Sequence, residues 1–123
     1  MASLVAEQDA FLRDVVKLLA KAWELGFVVT GGELWRTPEQ QKVYVQTGRS
    51  MTMNSRHLDR LAVDFNFFAN GVLVSGPMAV SVLRPLGEYW ESLSPKNRWG
   101  GNFDRDFNRK DPFVDCPHFE RKP

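Results

Sequence analysis

The strongest constraint on how this chain folds lies between residues 61 and 74. Residues 61–68 are rich in aromatic and branched side chains and read as a strand. Asn70-Gly71 follows, a dipeptide that closes a two-residue hairpin because both positions accept positive φ. Val72, Leu73 and Val74 then supply the return strand. At 123 residues the chain can bury one real core but not two. Its one cysteine, Cys116, rules out an internal disulfide.

Helical patterns surround this hairpin. Phe11, Val15, Leu18, Leu19, Ala22 and Trp23 recur at helical spacing within residues 7–25, with charged residues elsewhere on the wheel and Gly26 as a stop. Residues 27–30 read as a short strand and Gly31-Gly32 as a turn or bulge. A second helix starts at Thr37, with Thr37 as N-cap, Pro38 at the first position and Gln40 placed to close a capping box. It is expected to run to about Thr47 and stop at Gly48. Residues 49–60 read as a polar loop, and residues 77–93 as a third helix that Pro85 either starts or kinks. Residues 99–112 read as a long loop and residues 113–120 as a last short strand. Helices and antiparallel strands mix without regular alternation. The expected fold is therefore α+β, with a central antiparallel sheet flanked by helices in a single domain over residues 1–123.

Composition excludes several functions. The net charge of +1 gives no broad basic field for nucleic acid. No apolar run approaches the roughly 20 residues that span a membrane. Residues 1–14 carry Glu7, Gln8, Asp9 and Arg13 in place of a basic and then apolar leader, so no signal peptide is expected. The expected place of synthesis is a reducing cytosol. A substrate outside the membrane would then require another protein to carry the chain there.

The chemistry sits in two segments. Ser55-Arg56-His57-Leu58-Asp59-Arg60-Leu61-Ala62-Val63-Asp64 holds one histidine, and Asp115-Cys116-Pro117-His118-Phe119-Glu120 holds the other. His57, His118 and Asp64 are three N/O ligands of the kind that hold a catalytic zinc with one position open. Asp64 lies between Val63 and Phe65 in an apolar strand, where a carboxylate is costly unless paired or bound to metal. Each segment alone also has an ordinary reading: a strand-end Asp facing water, a loop His, a packed strand His.

The combination resembles a known family. Ser55-x-His57-x-x-x-x-Ala62-x-Asp64, Trp99-Gly100-Gly101-x-Phe103 and Asp115-x-Pro117-His118-Phe119-Glu120 are similar to motifs of zinc peptidases in the D-alanyl-D-alanine carboxypeptidase and L-alanyl-D-glutamate peptidase group. Trp35-Arg36-Thr37-Pro38-Glu39-Gln40-Gln41 resembles a fourth segment of the same group. The Asp-x-x-His form of the last motif most resembles the L-alanyl-D-glutamate branch, which includes many phage endolysins. The resemblance implies a Hedgehog/D-Ala-D-Ala-peptidase-like fold and one Zn2+ bound by His57, Asp64 and His118. It also implies Asp115 as general base. The activity expected from it is cleavage of the L-alanyl-D-glutamate bond of bacterial peptidoglycan by a monomer. Such an enzyme would be a phage or prophage endolysin, exported by a holin-type partner and without a separate wall-binding domain. One position departs from the group: Arg60 stands where glycine is usual, which implies either a changed loop path or a new substrate contact.

Other residues carry two readings each. Arg36 would bind the D-glutamate carboxylate or the oxyanion, helped by the Ser55 hydroxyl. Alternatively it forms a structural ion pair with Glu33 or Glu39. Trp99 either lines the cleft or packs on the core. Gln40 is read as a cap, Glu120 as an acceptor for a ligand histidine, and Cys116 as a buried spectator. Asp104, Asp106 and Asn108 alternate like the start of a calcium loop. Arg109 replaces the glycine of such a loop, so a solvated acidic loop is preferred over a Ca2+ site. Rival functions are a D-alanyl-D-alanine carboxypeptidase or dipeptidase, a non-catalytic murein-binding protein, and an iron oxygenase with a facial triad.

Overall fold

The computed structural model describes residues 3–48, 55–102 and 115–123. Helix α1 (Leu4–Glu24) starts at Ser3, whose hydroxyl accepts the Ala6 N–H at 3.1 Å. Phe11, Val15, Leu18 and Ala22 form its buried stripe. Trp23, expected on that stripe, is 59% exposed, because one further residue turns it about 100° away from Ala22. Two acids join the buried side. Asp14 accepts the Asn97 Nδ2 amide at 3.0 Å, and Glu7 pairs with Lys96 at 2.8 Å and with Arg121. These contacts tie α1 to the far end of the chain.

Strand β1 (Val28–Gly31) follows, and then α2 (Pro38–Gln46). The Thr37 hydroxyl caps α2 by accepting the Gln40 N–H at 3.0 Å. Strands β2 (Ala62–Ala69) and β3 (Val72–Leu73) form the expected hairpin. Its Asn70 and Gly71 have φ of 53° and 76°, which this turn requires. Helix α3 (Ala79–Leu93) continues through Pro85 and does not start there. Proline cannot donate to the carbonyl one turn back, at Ser81, but both residues are exposed and water can serve that carbonyl. Strand β4 (Asn97–Trp99) extends into the segment read as loop, and β5 (His118–Arg121) is shorter than expected.

All pairings are antiparallel, in the order β1-β2-β5-β4, with β3 also on β2. Val63, Phe65 and Phe67 alternate onto one face of β2 and pack with α1, α3, Trp90, Trp99 and Phe119 in a single core. The period of two sends Asp64 to the opposite face. His118 is the Cα partner of Asp64, so it shares that face, and Glu120 lies two residues on. The core thus occupies one side of the sheet and the polar cluster the other.

Candidate active site

Each member of the cluster is fixed by its backbone. Asp64 is held from the β1 side: its N–H donates to the Glu33 carbonyl at 2.8 Å and its carbonyl accepts the Gly32 N–H at 2.9 Å. A Cβ on Gly32 would come within 2.6 Å of the Asp64 carbonyl oxygen, so this crossing needs glycine. His57 rides on a 3-10 turn (Arg56–Asp59) that Ser55 caps by accepting the His57 N–H at 3.2 Å. His118 is set by a turn in which its N–H donates to the Asp115 carbonyl at 3.0 Å, while the Asp115 N–H donates to Gly100 at 2.9 Å. A Cβ on Gly100 would lie 1.9 Å from the Asp115 carbonyl oxygen, so glycine alone permits that approach.

The side chains converge. Among the described residues, His57, Asp64 and His118 each offer one ligand atom, and these atoms all lie within 4.8 Å of one another. His57 Nδ1 is 3.0 Å from the Leu34 carbonyl. A carbonyl only accepts, so Nδ1 carries a hydrogen, and in the neutral ring Nε2 presents its lone pair. That Nε2 is buried, lies 3.4 Å from Asp64 Oδ1, and has no hydrogen-bond partner among the described residues. A buried acceptor left without a partner is costly unless something binds there. His118 Nδ1 lies 3.1 Å from Asp64 Oδ1, and its Nε2 lies 2.8 Å from Glu120 Oε1. Glu120 thus accepts from the His118 ring on the side away from Asp64, the position expected of an acceptor behind a ligand imidazole. Two imidazole nitrogens and one carboxylate oxygen, with both rings oriented from behind, fit zinc.

The electrostatics follow from this packing. Burial works against charge on His118, but its bonds to Asp64 and Glu120 prevail and raise it to about 9. Burial also opposes charge on Asp64, yet its hydrogen bond with the His118 ring holds its carboxyl well below the usual range. Glu120 is lowered for the same reason, through His118. Asp115 moves the other way. Burial pushes its carboxyl up and the Asp64 charge adds to this, while His118, His57 and Arg36 pull against it. Asp115 is therefore close enough to sense the cluster without belonging to its ligand set.

The remaining predicted residues divide. Arg36 donates Nε to Glu33 and Nη1 to Gln41 Oε1 at 2.5 Å, with Ser55 Oγ at 3.4 Å, and its guanidinium lies 4.5 Å from the Tyr44 ring centroid. The Glu33 ion pair foreseen for Arg36 is present, and Glu39 takes no part in it. Trp99 corrects one expectation. It is fully buried in the core, its Nε1–H donates to the Cys116 carbonyl at 2.8 Å, and its ring lies against Gly87 and Gly101. It packs the core and does not line a cleft. Cys116 is buried, with its thiol pushed up to about 11 by burial and by Asp115, which suits a spectator. The calcium positions Asp104, Asp106 and Asn108 lie outside the described residues. Sequence reasoning missed Gln41 as the buried partner of Arg36. A polar side chain at the one fully buried position of α2 is the signal, visible only once the helix is docked. The Leu34 carbonyl behind His57 leaves no trace in residue types at all.

Comparisons with known proteins bear on the fold and the family. No curated protein sequence matches the chain. The crystal structure of the Serratia marcescens L-Ala D-Glu endopeptidase ChiX superposes with a TM-score of 0.63 at 23% identity, covering 89% of this chain and 79% of that one. That likeness establishes the fold. The family model described as phage L-alanyl-D-glutamate peptidase matches residues 4–121, nearly the whole chain and both halves of the site. The chain belongs to the phage L-alanyl-D-glutamate peptidase family.

Proposed function

We propose that this peptidoglycan peptidase works as a zinc-dependent endopeptidase whose metal is held by His57 Nε2, Asp64 Oδ1 and His118 Nδ1. The observation that carries the reading is the buried, unpartnered Nε2 of His57, aimed at a carboxylate and a second imidazole. When bound, zinc supplies a Lewis acid that polarises the scissile carbonyl and makes a nearby water more acidic.

The chain's own residues do the rest. Leu34 and Glu120 hold the two rings so that His57 Nε2 and His118 Nδ1 both face Asp64 Oδ1. Asp115 takes the proton of the attacking water and delivers it to the departing amine of D-glutamate. Its burial suits this work, because a raised carboxyl holds a proton more readily than an exposed one. Arg36 and Ser55 lie on the His57 side and contribute donors for the developing oxyanion or a substrate carboxylate. The Glu33 and Gln41 contacts hold the guanidinium rigid, as such a donor needs. In the cell the enzyme acts as a monomeric endolysin on the wall of the host, reaching it through a holin-type partner.

The test is metal content alongside activity. His57→Ala, Asp64→Ala and His118→Ala should each lose zinc and murein hydrolysis together, since three ligands leave no redundancy. Stoichiometric zinc in all three folded variants would remove the site.

A further inference from the structure

Arg60 holds a backbone conformation that its side chain disfavours. It closes the turn carrying His57 at φ 57° and ψ 35°. This is the left-handed region, where a Cβ crowds the following carbonyl and glycine is at ease. Among the described residues only one other non-glycine has positive φ: Asn70, in a hairpin turn and of a type that enters this region readily. An arginine there is the outlier.

The side chain is placed as well as strained. Its guanidinium lies over the Trp35 ring, 4.8 Å from the centroid, and Trp35 is 46% exposed. The N–H of Arg60 donates to the His57 carbonyl at 3.3 Å, and the N–H of Arg36, next to Trp35, donates to the same oxygen at 3.2 Å. The pair is therefore pinned to the backbone of a cluster histidine. Nearby Arg36 and Arg56 pair with Glu33 and Asp59. No carboxylate among the described residues pairs with Arg60. A guanidinium lying over an indole offers its face to the ring, which leaves its N–H edge for a planar, two-pronged acceptor.

We propose that Arg60, seated on Trp35, binds a carboxylate of the stem peptide and so helps select and position the substrate. The inference rests on the peptidase reading above. The stem peptide offers this chemistry on D-glutamate, whose γ-linkage leaves its α-carboxylate free beside the scissile amide, and in some walls on the third residue.

The test uses the zinc-loaded full chain and synthetic tetrapeptides, L-Ala-γ-D-Glu-L-Lys-D-Ala, with the glutamate α-carboxylate either free or amidated. A second pair carries diaminopimelate at the third position, free or amidated. Arg60→Gly should fold, with its melting temperature retained. It should lower kcat/KM about tenfold through KM on the peptide bearing the recognised carboxylate, and leave the amidated counterpart unchanged. The pair that responds identifies which carboxylate is bound. Arg60→Lys should recover part of the loss, because it restores the charge without the fork. Equal loss on free and amidated peptides, or no change on any of them, would overturn the role while leaving the peptidase reading intact. Failure of the parent enzyme to cleave any of the four peptides would overturn both.

Discussion

Asp64 and His118 face each other as Cα partners across β2 and β5, and this register brings Oδ1 and Nδ1 to 3.1 Å. The two residues are far apart in the chain, so the sheet brings them together. Shifting β5 by one residue would send His118 into the core and Phe119 to the polar face. Burial of Phe119 beside Trp90 and Phe67 opposes that slip. The hydrophobic core thereby sets the spacing of the site on the opposite side of the sheet.

Asp115→Asn should separate proton transfer from metal binding. Asp115 lies outside the ligand cluster, so zinc should stay at full stoichiometry. Turnover should fall by roughly 100-fold or more, the scale of a lost general acid/base. Loss of zinc from this variant would make Asp115 a ligand and the assignment wrong.

Zinc binding should release protons. In the metal-free protein His118 is raised to about 9 by its carboxylate neighbours, so it carries a proton at neutral pH. Ligation through Nδ1 requires that proton to leave. Calorimetry at pH 7.5 in buffers of different ionisation enthalpy should show release of about one proton. Apparent affinity should weaken as pH falls from 9, by up to about tenfold per unit. The stability sign is opposite for the metal-free fold. A raised histidine stabilises it fully below its ordinary value of 6.5, and that contribution fades as pH rises through 9. Binding without proton release would show that His118 is neutral or not a ligand.

Arg36→Lys distinguishes a scaffold from a substrate contact. An ammonium cannot reproduce the links to Glu33 and Gln41 together with the stack on Tyr44. A purely structural arginine predicts a lower melting temperature with turnover of the folded fraction preserved. The role proposed here predicts reduced kcat/KM in fully folded protein: a raised KM if Arg36 binds a carboxylate, a lowered kcat if it supports the oxyanion. Unchanged kinetics in folded Arg36→Lys protein would leave only the ion pair.

Much of this was legible in the sequence because local chemistry agreed with the final structure. Thr37 and Pro38 marked the start of α2, and Asn70-Gly71 the hairpin, through backbone preferences that act over a few residues. His57, Asp64 and His118 were legible as a set because ligand residue types are few and Asp64 sat in an apolar strand. Arg60 in place of glycine implies a changed loop path or a substrate contact; its φ of 57° keeps the left-handed backbone that glycine adopts. Features that depend on docking were not legible. Strand β4 is three residues long and exists only by pairing with β5. Trp99 was ambiguous until its ring was seen against Gly87 of α3. Trp23 misled because a wide apolar arc in a helix does not say where its buried edge ends.

The most direct test of the central claim is the mass of the products released from purified sacculi by zinc-loaded protein, beside a chelator-stripped control. The account predicts muropeptide fragments cut between L-alanine and D-glutamate, leaving a stem peptide with a new D-glutamate amine. Release should vanish on chelation and return with zinc. Release of D-alanine alone, or unchanged cleavage by the stripped protein, would contradict it.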